Sequence, residues 1–174
     1  MSYELIRGDA TSLPLADDSV DLICTSPPYF ALRSYTDGGE HYDGQIGSEA
    51  TPQEFLEALC AWTTECRRVL KPSGSLWVNL GDSYSRGSRT TRDGTTDKRR
   101  QGDSRVPPCR DIPAKSLMGL PWRYAIGCID QLGLILRAEV IWSKPNGLPE
   151  SVTDRVRRSQ EQPFMFTKEP RYFS

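Results

Sequence analysis

The chain has 174 residues, of which 37% are hydrophobic and 26% charged, and its 22 basic and 23 acidic side chains leave a net charge of −1. This length and composition predict one soluble globular domain and exclude a membrane protein, because no apolar run is long enough to span a bilayer. Five cysteines without a Cys-x-x-Cys pair and a single histidine, His41, exclude the usual spacing of metal ligands.

The charge is divided unevenly along the chain. Residues 1–84 carry 5 basic and 13 acidic side chains, net −8, whereas residues 85–174 carry 17 basic and 10 acidic ones, net +7. A basic half predicts a polyanionic partner on that side, and the alternative is a solvated basic loop.

Two short strands are predicted near the N-terminus. Residues 3–7 form a strand candidate that runs into Gly8-Asp9-Ala10, which by itself is an ordinary turn. Residues 20–25 form an apolar run without helical period, which predicts a buried strand.

Ser26-Pro27-Pro28-Tyr29 ends the second strand. The two prolines have no N–H and fix φ near −65°, so they predict a stiff loop at the carboxyl end of that strand. In an open α/β sheet, ligands bind at this end. The alternatives are a surface turn and a polyproline ligand.

The next segment is a polar, glycine-rich loop at 31–50, followed by the clearest helix signal of the chain. Thr51-Pro52-Gln53-Glu54 combines an N-cap, a proline at the first helical position and a capping glutamate. Apolar residues then recur at helical spacing as far as Val69, and a buried strand is predicted at 75–80. Strand, loop, strand, helix, strand is the order of a parallel sheet with crossover helices.

Residues 85–113 form a basic insertion with almost no apolar side chain, which we expect to be flexible. A helix follows at about 121–131, then strands at 134–142 and 163–168, and 171–173 begin one more.

At Ser26-Pro27-Pro28-Tyr29 the chain resembles the amino-methylating DNA methyltransferases, whose signature is Asp/Asn/Ser-Pro-Pro-Tyr/Phe. The blocks NLGDSY at 79–84, KSLMGLPWR at 115–123 and LRAEVIWSKPN at 136–146 are similar to segments of the same family. So is the stretch at 150–168, which departs from the family pattern at Val156 and at Ser159-Gln160. The resemblance therefore covers nearly the whole chain in order.

The resemblance implies roles for individual residues. Ser26 Oγ and the Pro27 carbonyl would grip the exocyclic amine of a flipped base, Pro28 would stiffen the loop, and Tyr29 would stack on the base. The segment Gly8-Asp9-Ala10 would bind the adenine of S-adenosylmethionine through Asp9. Ser at the first position of the motif favours N4 of cytosine over N6 of adenine.

Double-stranded DNA is the partner that the resemblance implies. Basic side chains beside a base pocket suit phosphate contacts, which position DNA without specifying sequence. The candidate residues are Arg33, Arg86, Arg89, Arg92, Lys98, Arg99, Arg100 and Arg105.

The fold that the resemblance implies is the Rossmann-like α/β fold of S-adenosylmethionine-dependent methyltransferases, with strand order 3-2-1-4-5-7-6. Strands 3, 4, 5, 6 and 7 are predicted here, whereas strands 1 and 2, with the family's Gly-x-Gly cofactor loop, are missing. We therefore expect a fragment, a truncated reading frame or half of a split enzyme, with a second chain or a downstream segment completing the cofactor site.

Three functions stay open. The first is a DNA amino-methyltransferase or its target-binding portion, and the second is a catalytically silent DNA-binding remnant or a partner-dependent half. The third, methylation of RNA or of a protein glutamine, is disfavoured only by the resemblance. Residues 1–4 do not begin a signal peptide, and the odd number of thiols favours a reducing cytoplasm.

Overall fold

The computed structural model describes residues 3–32, 36–37, 40–41, 44–85, 109, 111–147 and 153–170. The helices and strands within these ranges are β1 (Val20–Thr25), β2 (Thr36–Asp37), β3 (Glu40–His41), α1 (Pro52–Val69), β4 (Leu70–Leu80), α2 (Leu120–Asp130), β5 (Ile135–Glu139), β6 (Trp142–Ser143) and β7 (Gln160–Thr167).

Helix α1 begins where the sequence predicts it. The Thr51 hydroxyl accepts a hydrogen bond from the backbone N–H of Glu54, and the Glu54 carboxylate accepts one from the N–H of Thr51. This capping box satisfies two backbone donors that a helix N-terminus otherwise leaves without partners. The predicted apolar stripe is buried, with Phe55 and Leu59 at 1% and 0% exposure.

The main sheet has the strand order β1-β4-β7-β5, and β6 pairs with β7. Strand β1 is parallel to β4, whereas β7 is antiparallel to both β4 and β5. The sheet is therefore mixed, and the expectation of a parallel sheet is correct only for β1 and β4. The order matches the 4-5-7-6 portion of the order that the resemblance implies.

The core lies on one face of this sheet. Leu76 and Val78 of β4 face Phe166 and Phe164 of β7 in register, and all four are fully buried against α1 and α2. Tyr124 of α2 meets the Phe166 ring edge-on at 6.1 Å between centroids. The other face of the sheet is less covered, as the 58% exposure of Leu22 of β1 indicates.

Residues 3–7 do not form the predicted strand. Tyr3 and Leu5 are 88% and 89% exposed, and Ile6 is 52% exposed. A strand needs a neighbour to accept its backbone hydrogen bonds, and none of the described strands pairs with this segment. Among the described strands β1 is consequently an edge of the sheet.

The segment between residue 12 and β1 is held on α1 by two side chains of that helix, Glu65 and Arg68. Glu65 accepts a hydrogen bond from the N–H of Leu13, and Arg68 donates to the carbonyl oxygens of Leu13 and Leu15. Arg68 also pairs with Glu65 and Asp17. These contacts bring the N-terminal segment to the start of β1.

Several predictions lie outside the described residues. They are the flexible character of residues 86–108 and 110 in the basic insertion, and the strand at 171–173. The glycine-rich loop is described in part: Thr36 pairs with His41 and Asp37 with Glu40 in a small antiparallel ladder.

None of the helices in the described ranges has the length and apolarity that a bilayer crossing requires.

Candidate active site

Three strands place polar residues at one end of the sheet. Strands β1 and β4 are parallel, so the loop after Thr25 and the segment after Leu80 leave the sheet at the same end, the carboxyl end of these strands. Strand β7 is antiparallel, so its first residues, Gln160 and Glu161, lie there too. Ligands bind at the carboxyl end of the strands in open α/β sheets.

The Pro-Pro loop packs against the turn that contains Gly47. A Cβ on Gly47 would lie 2.9 Å from the Tyr29 carbonyl oxygen and 3.2 Å from Pro28 Cβ, and Gly47 has φ +98°. The N–H of Ala31 donates to the Gly47 carbonyl at 2.8 Å. Pro27 is buried whereas Ser26 is exposed, so the loop is anchored by its proline and presents its hydroxyl.

The Tyr29 ring lies against the backbone of Gly81. A Cβ at residue 81 would lie 2.5 Å from Tyr29 Cε2 and 2.6 Å from Cδ2. Since real side chains do not approach this closely, only glycine at position 81 permits this ring position.

The Tyr29 hydroxyl belongs to a polar cluster. It donates to Glu161 Oε2 at 3.2 Å and accepts from Asn79 Nδ2 at 3.0 Å, and Ser26 Oγ donates to it over 3.4 Å. Asn79 Nδ2 also donates to Glu161 Oε2 at 2.7 Å, and Lys144 Nζ donates to Glu161 Oε1. The cluster joins β4, β7 and the residue after β6 to the Pro-Pro loop.

Burial and charge shift the pKa values of this cluster. Burial is the largest cause of the raised pKa of Tyr29; the hydrogen bond from Ser26 opposes it, and the negative charge of Glu161 adds to it. Burial alone would raise the pKa of Glu161, but the hydrogen bonds from Lys144 and Asn79 outweigh it and lower that pKa. The cluster is therefore a neutral phenol beside an ionised carboxylate.

Asp82 lies in the same region but caps helix α2. Its Oδ1 accepts from the N–H of Leu120 and its Oδ2 from the N–H of Gly119, both at 3.1 Å. Gly119 is the N-cap residue and supplies no side chain of its own, so Asp82 takes over that function. This contact fixes the start of α2 relative to the end of β4.

A pocket of about 230 Å³ opens between these elements. Arg158 lies 3.8 Å from Asp82, and the Arg155 guanidinium lies 3.5 Å above the centre of the Tyr84 ring. The pocket thus combines two aromatic rings with one cation and two carboxylates. Its lining residues are Tyr29, Leu80, Gly81, Asp82, Tyr84, Arg158, Gln160 and Glu161.

Comparison with known proteins identifies the family. A family model described as DNA methylase matches residues 20–174. This chain belongs to that DNA methylase family. It is 43% identical over 174 residues to the Type II methyltransferase M.XycI of Xanthomonas campestris pv. cyanopsidis, and the match covers 97% of this chain and 55% of M.XycI. The methylase chain thus spans little more than half the length of this relative.

Two solved structures share the fold of the methylase. The PvuII DNA methyltransferase, described as cytosine-N4-specific, superposes with a TM-score of 0.63 at 21% identity, covering 95% of this chain and 49% of that one. A putative DNA modification methylase of Thermus thermophilus, complexed with S-adenosyl-L-methionine, gives 0.58 at 24% identity, covering 96% and 56%.

The structure brings together one of the three predicted groups of site residues of the methylase. The first group is the loop at the carboxyl end of β1, Ser26, Pro27, Pro28 and Tyr29, and Tyr29 lines the pocket. Gly8, Asp9 and Ala10 are exposed, and Asp9 Oδ1 accepts from the N–H and the hydroxyl of Thr11, both at 2.8 Å, which lowers the pKa of Asp9. The third group, Arg33, Arg86, Arg89, Arg92, Lys98, Arg99, Arg100 and Arg105, lies outside the described residues.

Sequence reasoning missed the polar partners of Tyr29 in this methylase. Asn79, Lys144 and Glu161 each lie in a block that resembles the family, but none of them carried an assigned role. Glu161 stands two positions before the strand predicted at 163–168, and the observed β7 begins at Gln160. A carboxylate just ahead of a predicted strand was the available signal.

Proposed function

We propose that this chain forms the target-base portion of an S-adenosylmethionine-dependent DNA amino-methyltransferase. The observation that carries the proposal is the Ser26-Pro27-Pro28-Tyr29 loop at the carboxyl end of β1, with Tyr29 forming one wall of the pocket. Family membership and the 43% identity to a Type II methyltransferase support it.

The loop addresses a specific chemical difficulty. The exocyclic amine of a base is a poor nucleophile because its lone pair is delocalised into the ring. Ser26 Oγ and the Pro27 carbonyl accept hydrogen bonds from the two amine hydrogens, which draws the nitrogen toward a pyramidal shape and frees the pair. The exposed position of Ser26 supports its proposed role.

Tyr29 supplies the stacking surface. A base that is flipped out of the duplex needs an aromatic face to replace its lost neighbours. The Tyr29 ring lines the pocket, and Tyr84 lies on another part of its wall with Arg155 stacked on it.

The described residues provide one side of a cofactor site. Asp9 presents a carboxylate whose pKa is low and which therefore accepts hydrogen bonds as an ion. However, β1 is the edge strand among the described residues and Leu22 is 58% exposed, so the described residues cover only one side of a molecule bound beyond β1. S-adenosylmethionine, when bound, supplies a methyl group on a positively charged sulfur. We propose that a further segment or a second chain forms the other side.

Cytosine N4 is the favoured target over adenine N6. Serine at the first position of the Pro-Pro motif favours this choice. Nucleoside analysis of the methylated DNA decides between N4-methylcytosine and N6-methyladenine.

Methyl transfer tests the proposal. We expect tritium from labelled S-adenosylmethionine to enter duplex DNA when this chain is combined with the portion of M.XycI outside the matched segment. Ser26→Ala is expected to reduce the rate by about 10²-fold, which is the effect typical of losing one preorganised polar contact to the reacting group.

The controls separate the possible failures. The M.XycI portion alone must be inactive, and Ser19→Ala is the matched hydroxyl control, because Ser19 is exposed before the start of β1 and its hydroxyl bonds within its own turn. Tritium in RNA or protein but not in DNA, or full activity of Ser26→Ala, would contradict the proposal.

A further inference from the structure

The carboxylate of Glu161 is held by groups from three separate parts of the fold. Lys144, after β6, donates to Oε1, whereas Asn79 of β4 and Tyr29 of the Pro-Pro loop donate to Oε2. The Glu161 side chain is 20% exposed. A half-buried charge requires such partners, since an unpaired one is costly.

The two oxygens of Glu161 have different surroundings. Oε1 faces Lys144, whose side chain is 39% exposed, so this half of the contact is a partly solvated ion pair. Oε2 accepts from Asn79 and from the Tyr29 hydroxyl, both of which are neutral groups. The contacts of Oε2 therefore connect the charge of Glu161 to the Tyr29 ring, which lines the pocket.

The Asn79 amide is oriented by the same carboxylate. A carboxylate only accepts hydrogen bonds, so the amide nitrogen of Asn79 must face Glu161. Asn79 Oδ1 is consequently buried, and it has no hydrogen-bond partner among the described residues. The fold thus leaves one acceptor unsatisfied in order to keep two donated bonds, to Glu161 and to the Tyr29 hydroxyl.

The Tyr29 ring is restrained at both ends. Gly81 lies against its ring carbons, and Glu161 with Asn79 fixes its hydroxyl. Neither restraint alone sets the plane of the ring: contact with Gly81 permits the ring to slide, and the hydroxyl bonds permit it to pivot.

We propose that Glu161 is a positioning residue for methyl transfer: through the Tyr29 hydroxyl and Asn79 it sets the plane of the ring on which the target base stacks. This inference rests on the proposed function of the Pro-Pro loop and adds a residue that acts through Tyr29. Base stacking requires a ring held in one plane, because a displacement of about 1 Å at a reacting centre costs up to about 10²-fold in rate.

The first test is spectroscopic and uses the chain by itself. The protein is labelled with 3-fluorotyrosine, and the ¹⁹F signal of Tyr29 is assigned as the one lost in Tyr29→Phe. We expect Glu161→Gln to move this signal and to lower the pH midpoint of its titration, because the neighbouring negative charge is gone. Glu169→Gln, an exposed carboxylate after the other end of β7, is the matched control and should leave the signal in place.

The second test is kinetic and uses the enzyme completed with the M.XycI portion. We expect Glu161→Gln and Tyr29→Phe each to lower kcat by about tenfold or more, with less than about twofold change in KM for DNA. The double variant should be no slower than the worse single variant, because both remove the same contact.

The outcomes distinguish the inference from the function beneath it. If the completed wild-type protein transfers no methyl group, the proposed function fails, and the ¹⁹F result still decides whether Glu161 positions Tyr29. An unchanged ¹⁹F signal in Glu161→Gln, or additive kinetic losses, would overturn the inference. If Glu161→Gln does not fold, Asn79→Ala removes the other bond to the hydroxyl without changing a charge and is expected to move the same signal.

Discussion

At the scale of single residues, the Tyr29 ring is the centre of the site. Its ring carbons lie against Gly81, its hydroxyl meets Glu161 and Asn79, and its backbone carbonyl lies close to Gly47. Each neighbour has a physical constraint: two must be glycine because a Cβ would clash, and two must be polar because the buried hydroxyl needs partners. The ring position is thus a compromise between packing and hydrogen bonding.

Replacing Gly81 tests the packing half of this account. We expect Gly81→Ala to destabilise the protein by about 1–3 kcal/mol, the usual cost of overpacking, because the new methyl group would lie 2.5 Å from Tyr29 Cε2. The measurement is urea unfolding in two backgrounds. In a Tyr29→Ala background the same substitution should cost much less, since the ring is absent. An equal cost in both backgrounds would contradict the clash.

At the scale of elements, helix α1 holds the N-terminal segment as well as the core. Its apolar stripe packs under the sheet, while Glu65 and Arg68 on its surface bind residues 13–17 through backbone and side-chain contacts. The sequence predicts the stripe from its period, whereas the second role depends on contacts across more than fifty positions.

This anchor predicts a pH dependence. The pKa of Glu65 is lowered to about 2, chiefly by the hydrogen bonds from Arg68 and with a further contribution from the N–H of Leu13. Because the folded pKa lies below the unfolded one, the contribution of Glu65 to stability is present above about pH 4.5 and is lost as the pH falls toward 2.

We expect Glu65→Gln to lower the free energy of unfolding at pH 6 and to reduce its decline between pH 5 and pH 3. Urea unfolding across this range measures both effects. Glu57→Gln, on the same helix and engaged only with Gln53 in the described contacts, is the matched control. If Glu65→Gln kept the full acid dependence of the wild type, the anchor would not be the source.

At the scale of the whole molecule, the sheet has one open side among the described residues. Within the described ranges strand β1 pairs with β4 alone, and Leu22 and Cys24 on its less covered face are exposed. An open strand edge with apolar side chains is a site for pairing with another chain.

The edge predicts concentration-dependent association of this chain. We expect Leu22→Lys to reduce it in light scattering, with less than about 0.5 kcal/mol change in unfolding free energy, because Leu22 is already 58% exposed. Val156→Lys replaces an apolar side chain that is 88% exposed and lies outside the strands, so it controls for added charge. Equal effects of the two substitutions would contradict a role of the β1 edge.

The local elements of this protein, including the stiff Pro-Pro loop after β1, could be predicted from short stretches of sequence. The capping box predicts the start of α1, the apolar period its buried face, and the two prolines the end of β1, because each signal acts within a few residues. The DNA methylase family was also predicted correctly, from blocks that occur in order along the chain.

How these elements meet depends on contacts between distant parts of the chain. Tyr29, Asn79 and Glu161 are separated by 50 and 82 positions, and they come together because β7 inserts antiparallel between β4 and β5. The strand predicted at residues 3–7 does not form, because a strand exists only where a neighbouring strand accepts its hydrogen bonds, and local sequence does not show whether one is present. Local signals set what each segment forms, and long-range strand pairing sets which segments share a site.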